Sequence, residues 1–281
     1  MSYLAVMQGR LVPPEDGRFQ SFPRSRWRDE FVLASAAGLD AIEWIYDTFG
    51  EDVNPIASDS GIDEILLLCR ENAIVIRSLC ADYFMDRPFL RASTAERSIL
   101  IRKMEWLLSR CALIGITRVV IPFVDHSRIE SEEESQEVLA IISELIAPAK
   151  MNQIELHLET TLPPKEFADL LDKCTDSFIR VNYDSGNSAS LGYSAAEEFA
   201  AYGQRIGSVH IKDRIHGGGT VPLGTGNADL KSVFNGLAKL RYEGDYVLQI
   251  ARTNPGDELR WIAENQAWLK MQIEAAKVNL Q

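Results

Sequence analysis

The sequence predicts an α/β fold, a (β/α)8 barrel, on three observations. Eight short apolar runs alternate with longer amphipathic segments along 281 residues, close to the usual length of such a barrel. Several amphipathic segments stop at a glycine just ahead of the next run, at Gly38, Gly115 and Gly244, as helix C-termini prefer. No GxGxxG turn follows the first run, which argues against the doubly wound open sheet that is the alternative. No repeat, low-complexity tract or linker divides the chain, so residues 1–281 read as one domain.

The elements follow in order. The first strand is YLAVMQG from Tyr3, and a long loop, Leu11 to Arg24, leads to the helical pattern EFVLASAAGL. DAIEWIY from Asp40 and the helix IDEILLLCREN come next. AIVIRSLCA from Ala73 precedes the segment DYFMDRPFL, Asp82 to Leu90, and the long helix ERSILIRKMEWLLSRCALIG. Both non-helical segments are long enough to act as lids. RVVIPFV from Arg118 pairs with ESQEVLAIISELIAPA, IELHLET from Ile154 with KEFADLLDKC, and FIRVNYD from Phe178 with AAEEFAAYGQRI. IGSVHIK from Ile206 is followed by LKSVFNGLAKLRYEG, and DYVLQIA from Asp245 by ELRWIAENQAWLKMQIEAAK. Trp44 and Phe123 are candidates for an apolar wall of the site, against the ordinary reading of core packing.

Composition narrows the function. A net charge of −12 opposes a phosphate backbone or an anionic bilayer, so neither nucleic acid nor membrane is an expected partner. The four cysteines, Cys69, Cys80, Cys111 and Cys174, form no CxxC pair, and a reducing compartment is the simple reading. The first residues, MSYLAVMQGR, lack the basic and apolar regions of a signal peptide. No run reaches the length that spans a bilayer. A cytoplasmic protein is expected.

In a barrel of this kind the active site lies at the C-terminal ends of the strands. The fifth strand ends in Glu159, the sixth in Asp184, the seventh carries His210 and the eighth Gln249. Residues two apart on a strand share a face, so Glu159 points with His157, Asp184 with Asn182, and His210 with Ser208 and Lys212. A buried amide without partners costs roughly 1–3 kcal/mol, so Gln249 needs one. Taken singly, each residue reads equally as a cap or a bonded core group. Together, two carboxylates, an imidazole and an amide oxygen suit a divalent cation: Mn2+ first, with Mg2+, Co2+ or Zn2+ as alternatives.

These residues stand in motifs that resemble the xylose isomerase-like TIM barrel superfamily, in particular its sugar phosphate isomerase/epimerase branch, which includes the ketose 3-epimerases. GLDAIEW resembles the family's second strand, with Glu43 in the usual acidic position. IELHLET and NYDSGN resemble the fifth- and sixth-strand motifs, which implies Glu159 and Asp184 as metal ligands. HIKDR is similar to the seventh-strand His-x-x-Asp element, formed here by His210 and Asp213, and VPLGTGNADLKSVFNGLAKLRYEGDYVLQ to the family's ending. The resemblance spans nearly the whole chain and implies a small carbohydrate substrate, phosphorylated or free, and a homo-oligomer.

Two departures matter. Gln249 stands where the family normally has Glu, and Asn187 stands where a substrate-contacting His is common. Family 3-epimerases use two glutamates on opposite faces of the substrate, and an amide cannot replace one, because it does not titrate near neutral pH. Glu159 remains as a base, which favours proton transfer on one face, as in aldose–ketose isomerisation through an enediolate. With Glu159, Asp184 and a 2+ ion, an amide at position 249 leaves the ligand shell neutral. An epimerase survives if another group supplies the second proton, Lys212 first and Asp213 second. Lys212, Arg214 and the run Gly217-Gly218-Gly219 are candidates for a phosphate site, and Arg10 for a further anion contact. A metal-dependent dehydratase and a catalytically inactive sugar-binding barrel are the alternatives. An abasic-site nuclease of the same superfamily needs many histidines, and the chain has four.

Overall fold

Eight parallel strands close on themselves in the computed structural model, which describes residues 2–278. Strands β1 (Leu4–Met7), β2 (Ala41–Ile45), β3 (Val75–Cys80), β4 (Arg118–Phe123), β5 (Glu155–Thr160), β6 (Ile179–Asp184) and β7 (Ile206–Ile211) follow one another around the barrel. The last strand, β10 (Tyr246–Leu248), closes it between β7 and β1. Outside lie helices α1 (Asp29–Ala36), α2 (Asp59–Asn72), α4 (Thr94–Ile114), α5 (Glu132–Met151), α6 (Pro164–Asp172), α8 (Ala195–Tyr202), α9 (Leu230–Lys239) and α10 (Glu258–Val278). All eight expected strands and their helices are present.

Each boundary has a local cause. Ser93 and Glu96 form a reciprocal capping box that starts α4, and Gly115 ends it in a left-handed conformation, φ 93°, where a Cβ would be strained. Register then sets the height of the strand ends. Pro122 pairs with Glu159, and Asp184 with His210. The Gln249 amide donates to the Ile211 carbonyl, one step beyond β10. Acidic, imidazole and amide side chains of four adjacent staves therefore come to one end of the barrel.

The elements absent from the expectation are short and local. Helix α3 (Tyr83–Asp86) lies in the first half of the DYFMDRPFL segment, and Phe84 stacks on Phe89 at 4.6 Å. Helix α7 (Ser185–Leu191) begins directly at the end of β6, capped by Asp184. A two-stranded ribbon, β8 (Asp213–Arg214) and β9 (Thr220–Val221), holds the glycine run in its turn. Among the described residues no helix is long and apolar enough to cross a membrane.

The apolar-wall expectation for Trp44 and Phe123 is corrected. Trp44 faces outward onto Phe22, Trp27 and Phe31, with ring centroids 5.7–6.3 Å away, and its indole donates to Asn54. Alternation turns Pro122 and Val124, not Phe123, to the barrel mouth. Trp44 joins β2 to α1 at full burial, so Trp44→Ala is expected to destabilise the fold by about 3–5 kcal/mol. Urea unfolding would check it; a loss below about 1 kcal/mol would show that this cluster is not a main support.

Candidate functional site

The site is built upward from the barrel floor. His157 on β5 stands 2.7 Å from the Ser208 hydroxyl, and that hydroxyl donates to the Asn182 side-chain oxygen at 2.6 Å. With its oxygen taken, the Asn182 amide turns its NH2 upward, 2.7 Å from Glu159 Oε2 and 3.0 Å from His210 Nδ1. Asn187 on α7 donates to the other Glu159 oxygen at 2.7 Å. Two amides therefore hold the Glu159 carboxylate, one from below and one from the side.

Asp184 ends β6 and caps α7. Its Oδ1 accepts from the Gly186 and Asn187 amides, both at 2.8 Å, and its Oδ2 lies 3.3 Å from Lys212 Nζ. Glycine is required at 186, because a Cβ there would meet Lys212 Cγ at 2.5 Å. His210 turns Nε2 to Glu43, 2.6 Å away, and Nδ1 toward Glu159, 3.4 Å from its Oε2. Burial alone would lower the His210 pKa, but Glu43 and Glu159 outweigh it and raise it to about 10. That field would hold a proton or a cation alike. A carboxylate on the far ring nitrogen is also how metal-binding histidines are oriented.

Glu159, Asp184 and His210 offer ligand atoms within 4.8 Å of one another. Gln249 completes the set: its Nε2 donates to Gln20 Oε1 at 2.8 Å, and its buried Oε1 has no partner among the described residues. An orphaned amide oxygen on a side chain that lines the same cavity as Glu159, added to two carboxylates and an imidazole, is the chemistry of a mixed O/N divalent-cation site, and these residues fit one. Lys212 and Asn187 share its rim, with Lys212 Nζ 3.3 Å from Asn187 Oδ1. A cavity of about 740 Å³ opens over Glu159, Lys212 and Gln249.

Three residues expected to touch substrate do not line that cavity. Glu43 lies fully buried behind His210. Asp213 accepts the backbone amides of Gly224, Gly226 and Ala228, so it anchors the following loop and is spent as a proton donor. Arg10 donates to the carbonyls of Ile250 and Phe19 and to Gln20 Oε1, pinning the loop after β1 across the mouth. Arg214 does line the cavity, but its guanidinium is held by Asn187 and the Gly218 carbonyl. The Gly217 and Gly218 amides are bonded to Ser190 and Ile215 carbonyls, which removes two donors from the expected anion cradle. Gln20 and Asp82, unforeseen in the sequence, stand in the cavity wall. Asp82 follows Cys80 by two residues, so strand alternation carried past the end of β3 would have found it.

The profile of the xylose isomerase-like TIM barrel family matches residues 31–272. The chain belongs to this family. A relative in Escherichia coli K12, provisionally named L-ribulose-5-phosphate 3-epimerase SgbU, is 22% identical over 276 residues, covering 89% of this chain and 92% of the relative. The solved structure of an L-ribulose 3-epimerase superposes with a TM-score of 0.79 at 14% identity, covering all of this chain and 97% of that one. A structure of the IOLI protein with a bound zinc atom gives 0.73 at 17% identity, over 99% and 97% of the two chains. At these identities the superpositions establish the shared barrel.

Proposed function

We propose that the protein is a divalent-metal-dependent sugar or sugar-phosphate epimerase/isomerase that moves a proton beside a carbonyl. The observation that carries this is the cluster of Glu159, Asp184 and His210, together with the unpartnered Gln249 oxygen on a side chain that shares the cavity wall with Glu159. The epimerases among its relatives and fold neighbours support the substrate class. Glu159, Asp184, His210 and Gln249 would hold the cation. When bound, it supplies Lewis-acid polarisation of the substrate carbonyl.

The residues then divide the work. Glu159, fixed by Asn182 and Asn187, takes the proton from the carbon beside the carbonyl. The Lys212 ammonium, at the same rim, offsets negative charge developing on the substrate oxygens. It pairs with Asp184, so its part is electrostatic rather than the second proton donor considered for it. Asn187 presents its amide to the cavity and to a sugar hydroxyl. Glu43 keeps the His210 ring oriented. Mn2+ is the first cation to test.

The test is deuterium exchange by NMR. Protein loaded with Mn2+, then with Mg2+, is incubated in D2O with L-ribulose 5-phosphate, L-ribulose and D-psicose, and spectra are taken after the metal is removed. Deuterium beside the carbonyl and a C3 epimer or aldose product are expected with at least one of them. Bound metal and bound sugar without exchange would sink the proposal and leave a binding-only barrel. A product with new ultraviolet absorbance would replace it with the dehydratase.

A further inference from the structure

Inverting a carbon through an enediolate needs a proton-transfer group on each face of the substrate, and Gln249 cannot be one. Lys212 and Glu159 lie on the same side, joined through the single amide of Asn187, and Asp213 is bound to backbone. Among the described residues, the arc from β1 to β4, outside the strands that carry the ligand set, has one buried carboxyl in the cavity wall. Asp82 lies just beyond β3, across the barrel from His210 and Lys212 at β7 and two staves from Glu159 on β5, on the flank of Glu159 away from Asp184, His210 and Gln249. On these grounds we infer that Asp82 is the second acid/base group of the site, working on the face of the sugar opposite Glu159. This inference rests on the reading proposed above.

The surroundings of Asp82 are those of a poised carboxyl. It is 5% exposed, accepts from Gln20 Nε2 at 2.8 Å, and receives the Cys80 thiol at 3.1 Å. Burial raises its pKa to about 6, against the lowering by Gln20 and Cys80 and with the charges of Asp47 and Glu159 adding to the rise. An acid/base is most effective near the operating pH, where both protonation states are populated. Gln20 also ties it to the ligand side, since the same side chain accepts from Gln249 and from Arg10. One glutamine therefore sets the Gln249 oxygen toward the ligand cluster and fixes the carboxyl across the cavity.

The step balances without a co-reactant. The C–H bond beside the carbonyl breaks toward ionised Glu159, and its electron pair forms the enediolate double bond as the carbonyl π pair moves to oxygen. Protonated Asp82 then gives its proton to the other face of that carbon, and the carbonyl re-forms. Glu159 is left protonated and Asp82 ionised, and exchange with solvent resets both. The reverse direction uses Asp82 as base and Glu159 as acid.

Asp82→Asn tests this, because it keeps the shape and an acceptor for Gln20 but removes the titrating group. The variant is loaded with Mn2+ and offered L-ribulose 5-phosphate and its C3 epimer separately in D2O. Mn2+ affinity followed by electron paramagnetic resonance is expected within about threefold of wild type, which also reports folding; if that variant does not bind Mn2+, Asp82→Ser takes its place. Interconversion is expected to fall at least about 100-fold, while one epimer, and only one, still acquires deuterium. Interconversion within threefold of wild type would overturn the assignment and leave the proposed function standing. Loss of deuterium uptake from both epimers, with Mn2+ affinity retained, would also overturn it. Wild-type protein that exchanges neither epimer would remove the proposed function, and this inference with it.

Discussion

Glu159→Gln is expected to lower interconversion by about 10³-fold or more at saturating Mn2+, at the upper part of the range for loss of a positioned base. The substitution changes little in volume, so the effect is chemical. Both carboxylate oxygens accept from side-chain NH2 groups, Oε1 from Asn187 and Oε2 from Asn182. A glutamine offers one oxygen and one NH2, so one of those donors would face another donor. Mn2+ affinity should drop as well, by at least about 10-fold, because a charged ligand becomes neutral. The assay therefore titrates Mn2+ until the rate no longer rises. If the saturated rate lies within tenfold of wild type, Glu159 is a ligand only and the proton is taken elsewhere. Deuterium uptake adds a second readout, since the epimer whose proton Glu159 removes should no longer exchange.

The fold was legible because its information is periodic. Strand runs of β-branched residues, glycines at helix ends and a strict alternation survive any surface variation. Register then followed from those runs, which is why Glu159, Asp184 and His210 come together as the spacing required. What sequence reasoning missed lies where periodicity stops. Gln20 sits in the loop after β1, and its position depends on Arg10 at the start of that loop and on Asp82, 62 residues away in the chain. Asp213 was legible as a polar residue at a strand end, but not as the acceptor for three backbone amides of a later loop. The glycine run had the composition of an anion cradle, yet ribbon pairing and the Ser190 carbonyl use its amides internally. Glu43 shows the intermediate case. It lies on β2, the strand the sequence indicates, while its partner, His210 on β7, has no local signal, since the contact crosses 167 residues.

Asp184→Asn is the second large effect, and it separates metal binding from helix capping. An Asn at 184 keeps an oxygen for the Gly186 and Asn187 amides, so α7 should stay capped; loss of that cap altogether would cost about 0.5–2 kcal/mol. Its other arm becomes an NH2 group directed where Oδ2 now lies 3.3 Å from Lys212 Nζ. A donor there faces an ammonium and cannot ligate a cation. Mn2+ affinity is expected to fall at least about 100-fold, beyond the 10–100-fold typical of residues one step behind the ligands. Thermal unfolding gives an independent measure. A cation at 100 times its dissociation constant stabilises the folded protein by about 2.7 kcal/mol, so wild type should melt at a lower temperature after chelation, while Asp184→Asn should barely respond to it. Equal responses would place the cation away from Glu159, Asp184 and His210. In that case the Gln249 oxygen would need another partner, and Glu159, Asp184 and Gln249 would form no neutral shell around a cation.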